Sequence, residues 1–296
     1  MTGASSGIGR ATAEFLASKG HLVFAGARRE EDLGALDHLP NVAAVRLDVT
    51  REEDAVRAVA KIRDTGLGLY GLVNCAGLGN AGPIAEMTVE DLHQVMEVNL
   101  DGGHRMVHAV FPLLREARGR VVNISSIGGF LVETLLGPYN ISKHAVEAYS
   151  DILREEVAPF GIRVVTITPG SFQTPIFDHG LKRFGESIRK RWVDSDSVYR
   201  EQVLQLLTYL EQPEVRFRKQ HPLPTAVASA IEQALFTEEP RKRYLVATPE
   251  EACVVFDRIF SLIHELNDSR PDRLTPEALA ERLMKARPSS EGEPPH

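Results

Sequence analysis

The glycine-rich segment at the start of the chain is the feature that most restricts its fold. Residues 2–9 read TGASSGIG, and apolar residues at helical spacing follow as far as Leu16. Glycine allows tight turning and close backbone approach, and the N–H groups at a helix N-terminus attract phosphate. Gly20 stands where such a helix would end. The segment predicts a phosphate-binding loop that opens a helix, although an ordinary Gly/Ser turn would have the same composition.

Strands and helices are predicted to alternate after this loop. Short apolar runs at residues 21–26, 42–47, 70–74, 120–126, 162–167 and 243–246 predict strands, with amphipathic helical segments between them. This alternation predicts an α/β fold, a Rossmann-type doubly wound parallel sheet in three layers. The strand that normally precedes such a loop is missing, because Met1 stands where it should end. We expect either a natural start upstream or a truncated sequence.

Composition narrows the function classes. The 296 residues are 43% hydrophobic and 25% charged, as in one large globular α/β domain or one domain with an extension. A net charge of −7 does not favour nucleic acid. Two cysteines are too few for a disulfide framework and suggest a reducing, cytoplasmic setting. The sequence shows no metal-ligand motif and no apolar run long enough for a transmembrane segment.

The domain organisation is predicted from changes in composition. Residues 1–247 form the dinucleotide-binding catalytic domain, within which the charge-rich residues 175–222 are expected to act as a substrate lid. Residues 248–286 form a C-terminal helical extension. Residues 287–296 are rich in Pro, Ser and Glu and are expected to be disordered.

The strand predicted at residues 21–26 indicates which dinucleotide binds. It runs into Arg28 and Arg29, and it lacks the acidic residue that would take a ribose 2′-hydroxyl. Guanidinium groups suit a 2′-phosphate, so NADP(H) is preferred. NAD(H) remains possible, because the acidic residues at 30–32 can pair with both arginines. Asp48, beside Val49 at the end of the next strand, is either an adenine contact or a turn-former.

A tyrosine and a lysine one helical turn apart form the candidate proton-transfer site. Tyr139 and Lys143 are four positions apart, and Ser126 ends a buried strand upstream, with Ser125 as the second choice for the serine facing the ligand. A free phenol has a pKa near ~10, and a neighbouring ammonium lowers it. We therefore expect a lowered Tyr139 pKa. A tyrosine and a lysine that merely share a helix face would give the same pattern.

Two asparagines accompany these residues. Asn74 lies at the end of a strand, before Ala76 and Gly77, where its side chain can bond neighbouring backbone. Asn99 interrupts the apolar face of a helix. It is either a kink residue or the anchor of a bound water.

These motifs, in this order, resemble the short-chain dehydrogenase/reductase family. The similarity covers roughly residues 1–247, and the stretch from 137 to 176 looks most like the branch of retinol, hydroxysteroid and hydroxybutyrate dehydrogenases. Cys75 departs from the family pattern, which has a second asparagine there. Relatives in the retinol-like branch often use NAD, whereas Arg28 favours NADP.

The resemblance implies a role for each residue of the active site. Ser126 would bond the substrate oxygen, Tyr139 would transfer the proton, Lys143 would hold the nicotinamide ribose and lower the tyrosine pKa, and Asn99 would anchor a water. Cofactor contacts are implied for a larger set: Gly3, Ser5, Ser6, Gly7, Ile8, Gly9, Arg28, Arg29, Asp48, Val49, Asn74, Ala76, Gly77, Tyr139, Lys143, Pro169, Gly170 and Thr174. The family also implies a homo-oligomer, a dimer or a tetramer.

The function predicted from the sequence is that of an NADP(H)-dependent oxidoreductase. It would interconvert a secondary alcohol and a ketone or aldehyde on a small, apolar substrate that is steroid-, retinoid- or lipid-like. Two alternatives remain open: an NAD-dependent alcohol dehydrogenase of the same fold, and a dinucleotide-binding sensor or scaffold without turnover.

Overall fold

The computed structural model describes residues 1–216 and 218–285 and shows a parallel α/β fold. The described strands, in chain order, are β1 (Val23–Ala27), β2 (Val42–Arg46), β3 (Gly71–Asn74), β4 (Arg120–Ile124), β5 (Arg163–Pro169) and β6 (Arg243–Val246). β1 pairs with β2, and the other four form a sheet in the order β3-β4-β5-β6. Every pairing is parallel. The predicted fold class is therefore confirmed, with strand boundaries shifted by one or two residues.

Helices follow most of the strands. Those in the described part of the chain are α1 (Gly7–Ser18), α2 (Glu30–Asp37), α3 (Glu52–Asp64), α4 (Val89–Met96), α5 (Gly102–Ala117), α6 (Gly137–Val157), α7 (Ile176–Ile188), α8 (Arg200–Glu211), α9 (Pro213–Arg216), α10 (Thr225–Phe236), α11 (Pro249–Asp268) and α12 (Pro276–Lys285). None of these helices is long and apolar enough to cross a membrane.

The first residues of the chain lie between the two sheets. Met1 accepts a hydrogen bond from Gly26 N (2.9 Å), and Thr2 N donates to Val73 O (2.9 Å). Ala4 N donates to Gly26 O (2.9 Å). The residues before α1 thus connect β1 with β3 by a few backbone bonds, at the place where the sequence predicted the end of a strand.

Helices cover both faces of the strands, which confirms the layered arrangement. Consecutive strand residues alternate between two apolar clusters, as the pleat requires. Val121 and Val164 belong to a cluster with α3 and α5. Val122 and Val165 belong to the other, with α1 and α10. Because both faces are buried, the strands appear in the sequence as continuous apolar runs.

A third apolar cluster lies beside the carboxyl ends of the strands. It joins residues of α7 and α8 to the loop after β3, and Trp192 at its centre is 2% exposed. The segment predicted as a lid therefore has its own packed interior. Its role as a lid stays a prediction.

In the sequence, a threonine followed three residues later by an acidic residue predicts a helix start at Thr50 and at Thr88, and the two predictions have different outcomes. At α4 the predicted start is confirmed, because the Thr88 side chain accepts from Asp91 N while Asp91 accepts from Thr88 N. At α3, Thr50 was the expected N-cap residue. That prediction is wrong, because Thr50 Oγ1 donates to Asp48 instead and the helix begins after Arg51 without a side-chain cap.

The chain divides into two compact units, Met1–Ala252 and Cys253–His296. The predicted boundary at residue 247 stays a prediction, and the predicted tail at 287–296 lies outside the described residues. The candidate active site lies in the first unit.

Candidate active site

The glycine loop has the geometry of a phosphate cradle. Gly3 and Gly7 adopt φ of 66° and 52°, in the left-handed region that favours glycine. A Cβ on Gly9 would lie 2.0 Å from Gly3 O, so only hydrogen fits there. Ser6, the N-cap residue of α1, makes no side-chain cap bond. The first N–H groups of the helix can therefore meet an anion.

A cavity of about 440 Å³ opens from this loop along the carboxyl ends of the strands. Its wall includes most of the residues for which a cofactor contact was predicted: Gly3, Ser5, Ser6, Gly7, Ile8, Gly9, Arg28, Arg29, Asp48, Val49, Ala76, Gly77, Tyr139, Lys143 and Thr174. A dinucleotide fits this arrangement, with a glycine cradle for phosphate near one end and Tyr139 at the other. We refer to it as the dinucleotide cavity.

Three predicted cofactor contacts lie outside the dinucleotide cavity. The Asn74 side chain instead donates to Asn123 Oδ1 (3.0 Å) and to Gly103 O (3.3 Å), so it holds β3 to β4 and to α5. The bond to Gly103 O confirms the side-chain to backbone contact expected from the sequence, while a contact of Asn74 with the cofactor stays a prediction. Pro169 and Gly170 line a second cavity on the other side of Tyr139, because β5 extends through Pro169 before the chain turns.

Cations gather at the end of the dinucleotide cavity where the two arginines lie. Arg29 pairs with Glu31 (3.0 Å) and Asp32 (2.8 Å). Arg28 makes no ion pair with any residue in the described ranges, although it lies close enough to Asp48 to lower that carboxyl's pKa. The two arginines are thus not equivalent.

The lid segment adds residues to this end that the sequence analysis did not assign to the site. His179, Lys182 and Arg183 of α7 line the dinucleotide cavity. Lys182 is paired with the buried Asp178 (2.9 Å). From the sequence alone, Lys182 and Arg183 are expected to form a solvated basic face, because helical periodicity does not tell which part of the sheet a helix will reach.

Asp48 has a structural bond as well as a place in the cavity wall. Its Oδ1 accepts from Thr50 N (3.0 Å) and from Thr50 Oγ1 (2.8 Å). Burial opposes its ionisation, but these bonds and nearby arginines hold the net pKa below its usual value. It therefore forms the turn and stays charged at the cavity wall, which fits both readings of the sequence.

Ser126, Tyr139 and Lys143 converge on one crevice. The side chain of Ser126 hydrogen-bonds the Tyr139 hydroxyl. Lys143 Nζ lies 5.7 Å from the centroid of the Tyr139 ring and donates to Ile124 O at the end of β4 (2.9 Å). A Cβ on Gly128 would lie 3.3 Å from Tyr139 Cε1 and 3.5 Å from Ser126 Oγ. The small residue keeps this junction open.

The electrostatics of the pair differ from the sequence-based expectation. Burial raises the pKa of Tyr139, and this outweighs the lowering by the Ser126 hydrogen bond and by the charge of Arg218. Burial likewise lowers the pKa of Lys143 to about 8. The predicted lowering of the tyrosine pKa by Lys143 is wrong for this structure, because desolvation dominates and the ammonium is directed at a carbonyl. Tyr139 is a neutral phenol at neutral pH.

Asn99 lies behind this site in a π-helical turn, Glu97–Asp101, that joins α4 to α5. Its Oδ1 accepts from Leu78 N (2.7 Å), and its Nδ2 donates to Leu78 O (3.0 Å) and Ser142 Oγ (2.8 Å). A Cβ on Gly77 would lie 3.8 Å from Asn99 Oδ1 and 3.9 Å from Lys143 Nζ. The amide thus fixes the loop after β3 next to Lys143, and it does not line the dinucleotide cavity.

The second cavity, of about 380 Å³, meets the first at Tyr139. Its wall is mainly apolar, and we call it the apolar cavity. Ser126, Pro169 and Gly170 line it from the sheet side, and Phe177, Leu207 and Leu210 line it from the lid segment. Arg218 is a cation in this wall. No cluster of His, Cys, Asp and Glu suited to a metal occurs in the described parts of the chain.

The arrangement can carry out proton transfer between a hydroxyl and a ligand held on its other side. Ser126 and Tyr139 present their hydroxyls to the apolar cavity, while Tyr139 and Lys143 also line the dinucleotide cavity. A substrate oxygen at this junction would meet both hydroxyls, with the end of a bound dinucleotide beside it.

Comparisons with known proteins agree with this geometry. Residues 1–182 match the family model described as short chain dehydrogenase. The chain is 35% identical over 263 residues to mitochondrial D-beta-hydroxybutyrate dehydrogenase of Mus musculus, covering 82% of this chain and 75% of the relative. It is 38% identical over 257 residues to retinol dehydrogenase 5 of the same species, covering 82% and 78%.

Two further similarities involve a reductase and a solved structure. An NADPH-dependent 3-dehydrocapnine reductase of Ornithobacterium rhinotracheale is 36% identical over 257 residues, covering 83% of this chain and 87% of the relative. The crystal structure of a short chain dehydrogenase/reductase from Burkholderia phymatum in complex with NAD superposes with a TM-score of 0.74 at 26% identity, covering 93% and 96%. This chain therefore belongs to the short chain dehydrogenase family and is an oxidoreductase that acts on CH–OH groups.

Proposed function

We propose that this enzyme uses NADP(H) to interconvert a secondary alcohol and a ketone on a mainly apolar substrate. One observation carries the proposal. The hydroxyl of Tyr139, bonded by Ser126, stands where a cavity fitted to a dinucleotide meets a mainly apolar one. The two halves of a hydride-transfer reaction would meet there.

The roles proposed for the side chains follow from their contacts. Ser126 holds the substrate oxygen and orients it toward Tyr139. Tyr139, a neutral phenol at neutral pH, donates the proton to that oxygen during reduction and accepts it during oxidation. The nicotinamide cofactor supplies or takes the hydride when bound. Lys143 holds the ribose at the dinucleotide end of the crevice. Asn99 positions the loop after β3 and anchors a water near Lys143.

The preference for NADP(H) is supported by the unequal arginines. Arg29 is already neutralised by Glu31 and Asp32, whereas Arg28 lines the cavity without an ion-pair partner among residues 1–216 and 218–285. A 2′-phosphate would supply the missing anion and gain charge-assisted hydrogen bonds. The reductase from Ornithobacterium rhinotracheale, which is described as NADPH-dependent, agrees with this preference.

The substrate size and polarity are inferred from the apolar cavity. At about 380 Å³ it is within the usual range for small-molecule sites, and its lid-side wall is formed by Phe177, Leu207 and Leu210. A steroid-, retinoid- or fatty-acyl-like body would bury apolar area there. The names of retinol dehydrogenase 5 and D-beta-hydroxybutyrate dehydrogenase indicate that these relatives act on alcohols of very different size.

Assembly and location are also part of the proposal. Ile141 and Ile152 on α6 are 42% and 60% exposed, which supports a homo-oligomer, a dimer or a tetramer, that uses this helix. Light scattering of the purified chain tests this proposal, and a monomer at micromolar concentration would contradict it. A cytoplasmic location is proposed from the two free cysteines, and cell fractionation tests it.

The experiment that tests the function is a substrate screen of the purified chain. Ketones and secondary alcohols with apolar bodies of increasing length are offered with each cofactor, and the reduced cofactor is followed by absorbance. We expect turnover with NADP(H) at a higher kcat/KM than with NAD(H). Cofactor binding without any turnover across the panel would instead favour the sensor or scaffold alternative.

A further inference from the structure

The guanidinium of Arg218 is a cation without a counterion in the wall of the apolar cavity. Its Nε is buried and has no hydrogen-bond partner within residues 1–216 and 218–285. No ion pair of Arg218 occurs in those ranges. Its one described side-chain contact of this kind is with the Phe177 ring, whose centroid lies 5.0 Å away. Burying a charge without a partner is costly, so such a group suggests a missing ligand.

The backbone directs Arg218 into this place. The residue adopts a φ of 52°, which a non-glycine residue rarely adopts. The turn is fixed by the bond from Arg218 N to Val215 O (3.0 Å) and the bond from His221 N to Arg218 O (3.0 Å). Because the conformation is strained and the side chain is not exposed, a solvated surface arginine does not explain it.

The acidic groups nearby do not satisfy this cation. Glu133 and Glu251 both act on it through their charges, but neither forms an ion pair with it. Glu133 is exposed. The carboxylate of Glu251 is held by the N–H groups of Ser171 (2.8 Å) and Thr248 (3.0 Å). Glu133 also lines the apolar cavity, but it forms no ion pair with Arg218, so the guanidinium faces the cavity without a bound counterion among residues 1–216 and 218–285.

Arg218 is also close to the reacting centre. Its charge lowers the pKa of Tyr139, and the tyrosine in turn acts on the arginine. Both residues line the same cavity, whose wall also includes the apolar side chains of Phe177, Leu207 and Leu210. A ligand that reaches Tyr139 and fills this space would have its remaining polar end near the guanidinium.

We propose that the substrate carries a carboxylate, which pairs with Arg218 inside the apolar cavity while its alcohol or ketone carbon lies at Tyr139. The substrate is then an apolar hydroxy acid or oxo acid. A carboxylate matches the planar shape of the guanidinium, and its single negative charge balances the single positive charge. A phosphate dianion would leave excess negative charge in an apolar wall. This inference rests on the proposed function, because it specifies the substrate of the same site.

The test compares decanoate with decanamide, which differ in charge at nearly equal size. Binding to the full chain is measured by calorimetry with saturating NADP⁺. We expect decanoate to bind the wild type at least ~10-fold more tightly than decanamide, and Arg218→Met to weaken decanoate by about 10- to 100-fold, as expected for a charge-assisted bond. Arg218→Met should leave decanamide nearly unchanged, and Arg218→Lys should retain part of the preference.

The matched control is Lys219→Met, which removes an exposed cation next in the sequence. It should keep the preference of the wild type. Equal affinities of the two ligands for the wild type, or no measurable binding of either, would overturn the proposal. Removing a half-buried charge whose Nε has no partner in the described ranges should leave the melting temperature of Arg218→Met equal or higher, so a folding failure is not expected. If that variant fails to fold, the affinities of the wild type for decanoate and decanamide still test the proposal.

Turnover separates this inference from the proposed function. Hydroxydecanoates that differ in hydroxyl position are compared with their methyl esters. If the acids are oxidised at higher kcat/KM than the esters, and Arg218→Met removes the difference, both proposals are supported. If acids and esters react equally well, the function stands and the carboxylate site falls. If decanoate binds selectively but nothing is turned over, the carboxylate site stands and the proposed function falls.

Discussion

The two cavities that meet at Tyr139 are built in different ways. The dinucleotide cavity contains the glycine loop, where the backbone sets the fit because a Cβ on Gly9 would collide with Gly3 O. The apolar cavity takes much of its wall from side chains of the segment after β5, such as Phe177 and Leu210. The loop can bind the constant phosphate of a dinucleotide through backbone N–H groups. The apolar cavity can change with each substitution in its wall.

The proton-transfer groups and the proposed substrate-binding group lie on different parts of the chain. Ser126 and Tyr139 lie on the sheet side of the site, and Lys143 donates a hydrogen bond to a strand carbonyl. Arg218 comes from a turn after α9, in the lid segment. The proton-transfer groups thus belong to the constant half, while the group that we propose selects the substrate belongs to the variable half.

The largest expected effect on cofactor binding tests the glycine loop of the dinucleotide cavity. Gly9→Ala places a methyl group 2.0 Å from Gly3 O, so the loop must shift. We expect the affinity for NADP(H) to fall by about 100-fold, because overpacking of this kind costs roughly 1–3 kcal/mol and the phosphate cradle is lost. Fluorescence titration with NADPH measures it.

The control for this variant is Gly34→Ala in α2, where a Cβ would meet nothing within 4 Å. It should keep cofactor affinity and gain about 0.5–1 kcal/mol of unfolding free energy, since alanine favours a helix over glycine. Wild-type cofactor affinity in Gly9→Ala would show that the loop does not bind the phosphate.

A smaller effect sharpens the account of the cation end. Arg28→Asp should weaken NADPH binding by about 10- to 100-fold relative to NADH. The variant loses a charge-assisted hydrogen bond to the 2′-phosphate and places a carboxylate that repels it. Arg29→Asp should have a weaker effect, because Arg29 is already paired with Glu31 and Asp32. The dissociation constants of NADPH and NADH, measured for both variants, test this difference. Equal effects of the two substitutions would contradict the unequal roles of the arginines.

The smallest effect concerns the acidity of Tyr139. Burial raises its pKa, so the phenol of the cofactor-free protein should titrate at higher pH than a free phenol, whose pKa is near ~10. Tyrosinate absorbance of the wild type minus that of Tyr139→Phe isolates this group. Arg218→Met should move its titration to still higher pH, because a stabilising positive charge is removed. Titration of the phenol below pH ~9 would restore the lowered pKa expected from the sequence.

Prediction from sequence succeeded where local patterns decide the structure. Alternating apolar runs and helical periodicity gave the parallel α/β fold, and the glycine spacing gave the loop at the start of α1. The spacing of Tyr139 and Lys143 correctly predicted that both reach one crevice, because four residues make one helical turn. The same local logic predicted the capping box at Thr88.

Prediction failed where tertiary context decides. Asn74 bonds the backbone at Gly103 O, as expected from the sequence, but no sequence pattern reveals that it also bonds Asn123 across the sheet. The tyrosine pKa was expected to fall, but desolvation is set by packing and outweighs a neighbouring charge. Arg218 carried no signal in the sequence, because its importance arises from burial beside Tyr139.

The central claim is that Tyr139 transfers the proton at the junction of the two cavities. The most direct measurement is kcat and NADPH affinity of Tyr139→Phe, with Tyr149→Phe as the control from the same helix, whose hydroxyl contacts His104 (3.2 Å) instead. We predict that Tyr139→Phe lowers kcat by about 10²- to 10⁴-fold while NADPH affinity stays within a few-fold, and that Tyr149→Phe retains turnover. Full turnover in Tyr139→Phe would contradict the claim.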